Sequence, residues 1–304
     1  MNINAPIFQD VDKAREYLEA ERWPYGPICP HCGEGQDITA LTGKSHRPGL
    51  YQCKTCAKQF TVTVGTVFER SKIPLTKWLL ATRLMCSSKK GMSAHQLHRM
   101  LGVTYKTAWF MAHRIRKAME DDSPQAMGGG GQIMADETYK GLSKKSKFYR
   151  KGHKHLWSVV SLIDPATGEA RTFHVRNANA DTVRDILVRN ASREAILVTD
   201  DAHLYRSIGP EFADHKRVRH GKREYVTKDG HTTNPVETYF SIFKRGMRGV
   251  YQHCSEQHLQ RYLHEFSFRW TYRKIDDTER TAQIVYHSQG KRLTYRRINE
   301  AWYA

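Results

Sequence analysis

Residues 29–32 read Cys-Pro-His-Cys and residues 53–56 read Cys-Lys-Thr-Cys, and these two stretches decide the fold of the N-terminal part. Two CxxC pairs about twenty residues apart are typical of a structural zinc site with four thiolate ligands in tetrahedral geometry. A redox-active dithiol pair is the alternative. His31 and His46 are possible substitute ligands, although four thiolates already complete the tetrahedron. We therefore predict one structural Zn²⁺ bound by Cys29, Cys32, Cys53 and Cys56.

The residues around the cysteines have the patterns of a short helix and a small β unit. Residues 7–22 show the apolar spacing of an amphipathic helix, and residues 51–53 and 59–64 alternate as strands do. We expect the helix and the zinc ribbon to form a first domain over residues 1–70.

From Leu75 onward the apolar residues recur with helical spacing. A further helix is predicted after Ser93, a suitable N-cap, and a third over Tyr105–Met119 after a turn at Gly102. Helix, glycine-containing turn and helix is the layout of a helix-turn-helix. A plain helical hairpin that links two domains is the alternative. We predict a helix-turn-helix DNA-binding domain over residues 71–122.

The charge balance favours a nucleic acid partner. Lys and Arg number 49 against 31 Asp and Glu, a formal net charge of +18. Such an excess favours a polyanion, because cations placed on phosphates release condensed counterions. A basic stretch at residues 140–155 is expected to be a loop over DNA. The helix-turn-helix residues predicted to face bases or phosphates are Tyr105, Lys106, Thr107, His113, Arg114 and Arg116.

The chain shows no sign of a membrane segment or a signal peptide. Its apolar runs fall short of the roughly 20 residues that a membrane span requires. The first residues lack the basic and apolar regions of a signal peptide. Of six cysteines, four have metal-site spacing, which fits a reducing compartment. We predict a cytoplasmic protein.

A glycine-rich linker is predicted over residues 123–131, because Pro124 and the four glycines at 128–131 are poor core formers. Strand and helix patterns then alternate over residues 132–275 in the order three strands, helix, strand, helices. This is the order of a ribonuclease H-like α/β domain with a mixed sheet. Residues 276–304 are predicted to be a basic tail. The predicted fold class is therefore multidomain α+β.

Acidic residues stand at matching places in this last domain. Asp136 is predicted to end its first strand, Asp200 to end its fourth, and Glu237 to lie on the following helix. Each has a simple structural explanation alone, as a strand end, a helix cap or a charge near a helix N-terminus. Together they predict a site for Mg²⁺ or Mn²⁺, in which two ions can assist an in-line phosphoryl transfer.

Three further residues belong to this predicted site or compete for a place in it. Lys244 follows Glu237 by seven residues, so both lie on one helix face. Asn234 is a candidate oxygen ligand, and Asp201 is the alternative to Asp200.

Several motifs resemble those of the ISXO-two-like transposases of bacterial insertion sequences. They are Asp136-Glu-Thr-Tyr139, Thr199-Asp200, His231-Thr-Thr-Asn-Pro-Val-Glu237, Lys244-Arg-Gly-Met-Arg-Gly249 and residues 259–269. The cysteines and the helix-turn-helix match the front end of that family. The resemblance covers roughly residues 20–275.

The resemblance implies a DDE-type recombinase that binds double-stranded DNA as a homodimer or larger oligomer. It would bind the terminal inverted repeats, cleave at the transposon ends and join the freed 3′-hydroxyl to target DNA. The family's acidic triad maps to Asp136, Asp200 and either Asn234 or Glu237, because some members have Asn followed by Lys in third position. The cations expected to contact DNA in this domain are Lys244, Arg245 and Arg248.

Two other functions remain open at this point. The chain could be a catalytically silent DNA-binding regulator derived from a transposase, although every candidate acid is present. It could also be a metal-dependent nuclease without strand transfer, which would use the same acids.

Overall fold

The chain folds into two compact units. The structure is a computed structural model. It describes residues 2–122, 125–141, 156–222 and 225–294. Unit 1 takes in the described parts of Met1–Glu120 and Ile275–Ala304, and unit 2 takes in those of Asp121–Lys274.

Unit 1 consists of helices and a small antiparallel ribbon. Its helices are α1 (Val11–Arg22), α2 (Leu75–Ser87), α3 (Ala94–Leu101), α4 (Tyr105–Ala118) and, at the end of the chain, α8 (Asp277–His287). Its strands are β1 (Ile38–Ala40), β2 (Tyr51–Cys53) and β3 (Gln59–Phe60), paired in the order β1-β2-β3. Helix α2 contacts α1, α3, α4 and α8 and so forms the centre of the unit.

The turn between α3 and α4 is built as the sequence indicates. Ser93 and Gln96 form a capping box at the start of α3, and Gly102 ends that helix with a φ of 58°. The Thr104 hydroxyl then accepts a hydrogen bond from the Thr107 backbone N–H and caps α4. These side chains satisfy backbone groups that a helix end leaves without partners, which fixes where both helices begin and end.

The exposure predicted for three residues of α4 is wrong. His113, Arg114 and Arg116 are 0%, 5% and 2% exposed, so their side chains do not face a DNA groove. The reason is that α4 does not stand free but packs against three helices, α2, α3 and α8. Burial lowers the pKa of Arg114 to about 10, and its guanidinium donates to the Glu69 carbonyl and lies over the Trp78 ring.

The segment described from the sequence as a basic tail contains helix α8. Asp276 and Glu279 form a capping box at its start, and Ile284 and Val285 bury their side chains. The helix contacts α1, α2 and α4 within unit 1. The apolar face of α8 thus contributes to the core of the N-terminal half, although the two are far apart in sequence.

Unit 2 is a five-stranded mixed sheet with helices on both faces. Its strands are β4 (Gln132–Gly141), β5 (Leu156–Ile163), β6 (Ala170–Val175), β7 (Ile196–Asp200) and β8 (Asp214–Val218). Its helices are α5 (Ala180–Asn190), α6 (Asn234–Gly246) and α7 (Glu256–Thr271), and a short π-helical turn, Met247–Tyr251, follows α6.

The sheet has the order β6-β5-β4-β7-β8. Strands β4, β5 and β6 pair antiparallel, whereas β7 and β8 run parallel to β4. The mixed sheet predicted from the sequence is therefore confirmed. One face, with Ile133, Ala135 and Leu197, packs with Val183 and Leu187 of α5. The other face packs on α6 and α7.

Strand β4 is longer than the sequence pattern indicates, and Asp136 lies in its middle. The prediction that Asp136 ends the strand is wrong, because β4 continues to Gly141 by pairing with β5. The parallel pairing with β7 stops at Met134 and Val198. Asp136 therefore lies where β7 leaves β4, and this opens one side of the strand.

Part of the glycine-rich segment is packed into unit 2. Met127 is buried, and its backbone N–H donates to the Asn190 carbonyl. Gly128 has a φ of +80°, and a Cβ at this position would lie 2.5 Å from the Ile133 side chain. Glycine is needed at this position by both its backbone angle and the close approach.

The predicted basic loop at residues 140–155 lies outside the described residues except for the last two positions of β4. Among the described residues, every helix is too short or too polar to cross a membrane.

Candidate active site and metal centre

The four cysteines of unit 1 come together as one cluster. Their Sγ atoms all lie within 4.8 Å of one another, with Cys29–Cys56 and Cys32–Cys53 both at 3.7 Å. Four thiolates about 2.3 Å from one tetrahedral ion are separated by about 3.8 Å, so these distances fit Zn²⁺.

In unit 2, the register of two parallel strands brings two carboxylates to the same place. Gln132 pairs with Ile196, and Met134 pairs with Val198. The same register, continued two residues beyond this last pair, would bring Asp136 opposite Asp200. Side chains at matching positions of neighbouring strands point to the same face. Both aspartates are therefore directed to the face of the sheet that carries Met134 and Val198.

The neighbouring acid, Glu137, points to the opposite face. Successive strand residues alternate between faces, and Ala135 packs in the core on the α5 side. There the hydroxyl of the buried Tyr205 donates a 2.8 Å hydrogen bond to Glu137 Oε2. Strand geometry thus separates Asp136 from Glu137, a distinction that sequence spacing alone leaves open.

Glu237 lies in the first turn of α6 and is held by two side chains. The Thr233 hydroxyl donates to Glu237 Oε1 at 2.9 Å, and His220 Nε2 lies 3.0 Å from the same oxygen. His220 follows β8, whose last residue Val218 pairs with Asp200. The segment directly after β8 therefore reaches the same edge of the sheet as the aspartates.

The electrostatics show that the carboxylates share one region. Burial, followed by the charges of Asp200, Glu137 and Glu237, raises the pKa of Asp136 to about 8. Burial, with a contribution from Asp200, also raises the pKa of Glu137. Carboxylates that raise one another's pKa values in this way are a frequent sign of a cation or catalytic site.

The acids are more widely spaced than the cysteines. Within the part of the chain that the structure describes, only the cysteines form a group of His, Cys, Asp or Glu with all ligand atoms within 4.8 Å. Carboxylates that hold two ions about 3.5–4 Å apart need not meet that limit, because each ion bridges part of the gap. Hard oxygen ligands of this kind fit Mg²⁺ better than zinc.

A basic cavity adjoins the acids. A cavity of about 410 Å³ is lined by Asp136, Glu137, Thr138 and Glu237 on one side and by cations of α6 and the turn after it. These exposed cations are Lys244, Arg245 and Arg248. Carboxylates next to Lys and Arg fit a phosphodiester with a divalent cation, because the cations neutralise phosphate oxygens that the carboxylates alone would repel.

The alternative acid, Asp201, and the alternative amide, Asn234, lie in different surroundings from Asp200 and Glu237. Asp201 is partly exposed and pairs with Arg217 at 3.2 Å, and it is absent from the charges that shift Asp136. Asn234 is exposed at the first position of α6 and lies outside the lining of the basic cavity. The geometry therefore favours Asp200 and Glu237.

His220 and Thr233 were missed at the level of sequence. Strand β8 is short and mostly polar, so no strand was predicted before His220. Thr233 looks like an ordinary residue before a helix. The signal that could have found His220 is topological: the end of a fifth strand beside β7 reaches the same sheet edge as Asp200.

The raised pKa of Asp136 leads to a prediction for the protein without added Mg²⁺. In the unfolded chain this carboxyl has a pKa of about 3.9. In the folded protein the value is about 8, so its contribution to stability is complete below pH 4 and is lost as pH rises to 8. We expect Asp136→Asn to raise the melting temperature relative to wild type, and the gain to grow from pH 5 to pH 8.

This difference is measured by thermal denaturation in buffer without chelator, because a chelator would also remove zinc. Asp201→Asn is the control, since Asp201 is partly exposed and paired with Arg217. We expect its melting temperature relative to wild type to stay constant over this pH range. A gain for Asp136→Asn that does not change with pH would contradict the assignment of Asp136 as a buried acid among other charges.

Comparison with known proteins defines the class of this chain. Residues 10–59 match the family model of the transposase zinc-ribbon domain, and residues 129–271 match that of the ISXO2-like transposase domain, a DDE-type domain. A zinc ribbon followed by a DDE domain defines a transposase. The chain thus carries a domain that matches the ISXO2-like transposases behind a domain that matches the transposase zinc ribbon, as the motifs in its sequence indicated.

One relative and one solved structure illustrate the range of similarity. The chain is 28% identical over 282 residues to an uncharacterized protein in transposable element ISH50 of Halobacterium salinarum. The match covers 86% of this chain and 91% of that protein. A chain of the simian T-cell lymphotropic virus intasome, in complex with PP2A regulatory subunit B56 gamma, is similar with a TM-score of 0.30 and 13% identity. That match covers 58% of this chain and 64% of the other. This likeness is too low to carry an argument.

Proposed function

We propose that this chain is a metal-dependent DNA transposase that cleaves transposon ends and joins the freed 3′-hydroxyl to target DNA. The observation that supports the proposal is that the strand register directs Asp136 and Asp200 to one face of the sheet, and that the charges of Asp200 and Glu237 both raise the pKa of Asp136. Three antiparallel strands lie on one side of the sheet, and two strands parallel to β4 follow on the other side. This strand order supports a ribonuclease H-like fold for unit 2.

Asp136, Asp200 and Glu237 are the residues that would hold Mg²⁺ or Mn²⁺, in a site for two ions. When bound, the ions supply Lewis acidity that activates the attacking oxygen and stabilises the leaving oxygen. Asp136 is largely buried, and the attraction between a carboxylate and a cation is stronger where little water screens it. Its burial therefore favours cation binding.

The proposed reaction consists of two successive phosphoryl transfers. In cleavage, a water oxygen bonds to the phosphorus at the transposon end and the P–O3′ bond breaks, which leaves a 3′-hydroxyl and a 5′-phosphate. In joining, that 3′-oxygen bonds to a target phosphorus, and the target 3′-oxygen leaves and takes up a proton. Lys244, Arg245 and Arg248 would hold the phosphates that flank the reacting bond, since they line the cavity beside the acids.

Unit 1 would bind the inverted repeats. The turn between α3 and α4 leaves Tyr105 and Lys106 exposed and Thr107 half-buried at the start of α4. The Tyr105 ring stacks on His95, with ring centroids 4.3 Å apart. A helix N-terminus favours contact with a phosphate, because its backbone N–H groups and dipole attract negative charge. Zinc held by the four cysteines would stabilise the ribbon.

The test uses the pure protein with labelled duplex that carries the inverted repeats flanking its gene, supercoiled plasmid and Mg²⁺. A transposase gives a nick at the repeat end and a joined product. Nicks without joining would identify a nuclease, and binding without nicks would identify a silent regulator. Two repeat ends held in one complex, measured as protein-to-DNA stoichiometry, would establish the proposed dimer or larger oligomer.

The proposed DNA contacts of unit 1 lead to a separate prediction. Binding of the end duplex should weaken steeply with salt, and Lys106→Gln should make the slope of log K against log salt shallower by about 0.9, the value for one phosphate contact. Lys13→Gln removes the same charge from the exposed side of α1 and is the matched control. Fluorescence anisotropy over a salt series measures both. An equal change in the two variants would contradict a contact specific to Lys106.

A further inference from the structure

Three side chains form a closed triangle of polar contacts at the third acid. His220 Nε2 lies 3.0 Å from Thr233 Oγ1 and 3.0 Å from Glu237 Oε1. The Thr233 hydroxyl lies 2.9 Å from the same Glu237 oxygen and donates to it. Sequence reasoning assigned a role to only one member of this triangle, Glu237.

The directions of these hydrogen bonds follow from the groups involved. An ionised carboxylate only accepts, so the His220 nitrogen that faces it carries a hydrogen. The Thr233 hydroxyl has a single hydrogen, and it is directed to Glu237. Both donors therefore converge on Oε1, and Oε2 is the oxygen left for a cation.

The triangle also connects the segment after β8 to the helix that carries the third acid. Asp136 and Asp200 are on strands, where backbone pairing fixes their positions. Glu237 is on a helix, with a side chain that is 44% exposed. A long, exposed side chain of this type has several rotamers, and fixing it costs roughly 1–2 kcal/mol. His220 comes from the connection after β8 and so ties this helix side chain to the sheet.

Packing holds the donors themselves in place. Thr233 is 1% exposed and adjoins the N-terminus of α6. The His220 ring is 32% exposed and contacts the Tyr225 ring, with centroids 5.5 Å apart. A donor that is fixed by its neighbours can orient a ligand before the metal arrives, as the partners of metal ligands commonly do.

We infer that His220 is a positioning residue: with Thr233 it holds Glu237 in the rotamer that presents Oε2 to a divalent cation. This inference rests on the proposed function of the acidic site. His220 itself need not touch the DNA or the cation. Loss of its N–H should therefore weaken cation binding, whereas any side chain that restores a donor at the same place should restore the binding.

The test compares His220→Leu, which removes the donor, with His220→Gln, whose amide N–H can reach the position of Nε2. Mn²⁺ binding to the zinc-loaded protein without DNA is measured from the free Mn²⁺ signal in electron paramagnetic resonance. We expect the dissociation constant to rise about 10–100-fold in His220→Leu, the usual effect of losing such a partner. His220→Gln should stay within about threefold of wild type, since the orienting donor is kept.

Controls separate this inference from the proposed function. His253→Leu removes an exposed histidine elsewhere in unit 2 and should bind Mn²⁺ like wild type. Glu237→Gln should lose Mn²⁺ binding and end cleavage together. If Glu237→Gln keeps both, the proposed site itself is wrong. If Glu237→Gln loses both but His220→Leu binds Mn²⁺ normally, only the positioning role is wrong.

Two further outcomes complete the test. If His220→Gln is as weak as His220→Leu, the role of an orienting donor is overturned, and the imidazole acts in another way. If His220→Leu does not fold, as judged by circular dichroism, Thr233→Val takes its place, because valine has the shape of threonine without the donor. Mn²⁺ binding of Thr233→Val equal to wild type would then overturn the inference.

Discussion

Asp136→Asn is expected to lower the rate of end cleavage by roughly 10³-fold or more and to leave end binding within about twofold of wild type. The substitution keeps the shape of the side chain but replaces an anionic ligand with a neutral amide. Each factor of ten in rate corresponds to about 1.36 kcal/mol, so a loss of this size removes about 4 kcal/mol of transition-state stabilisation. Single-turnover cleavage of labelled end duplex measures the rate.

The matched control is the next residue along the strand. Glu137→Gln makes the same chemical change one position away, on the opposite face of β4, where Tyr205 is its partner. We expect this variant to retain cleavage within about tenfold of wild type, because the Glu137 carboxylate is held by Tyr205 and alternates to the face of β4 opposite Asp136. If Glu137→Gln loses cleavage and Asp136→Asn keeps it, the assignment of the two faces is reversed.

Cys29→Ser is expected to have the largest effect on folding. Structural zinc sites supply folding free energy directly, roughly 10–16 kcal/mol for isolated zinc-finger peptides, and a serine hydroxyl is a poor substitute for a thiolate. We expect zinc content, measured by metal analysis, to fall from one ion per chain towards none. The ribbon should unfold without its ion, and end binding should be lost with it.

Cys254→Ser is the control for this change. Cys254 is a thiol of unit 2 that lies outside the cysteine cluster. Its replacement should leave zinc content and end binding unaltered. Full zinc content in Cys29→Ser would contradict the four-thiolate site, whereas zinc loss in both variants would point to a general effect of thiol removal.

Much of the fold is predictable from local sequence because the responsible interactions are local. The capping box of Ser93 and Gln96, the glycine at position 102 and the spacing of the cysteine pairs each act within a few residues. The apolar run at 196–199 predicts a buried strand for a similar reason, since its composition alone requires burial. These features need no knowledge of distant parts of the chain.

The predictions that were wrong depend on interactions between distant parts of the chain. Arg114 and Arg116 look like DNA-facing cations when α4 is considered alone, but α8, from the other end of the chain, helps to cover that helix. Asp136 looks like a strand end because its neighbours become polar, but pairing with β5 extends β4 past it. In each case the partner that decides the outcome is remote in sequence.

The sequence by itself determined the kinds of chemistry available: a four-thiolate cluster, a set of carboxylates and basic residues beside them. It also determined most helices and the mixed order of strands, because hydrophobic periodicity and capping are local properties. Only the tertiary structure decided which acid of each pair meets the others, since strand register directs Asp136 and Glu137 to opposite faces. It also brought His220 to Glu237, because the end of a short polar strand is placed by the sheet rather than by its own residues.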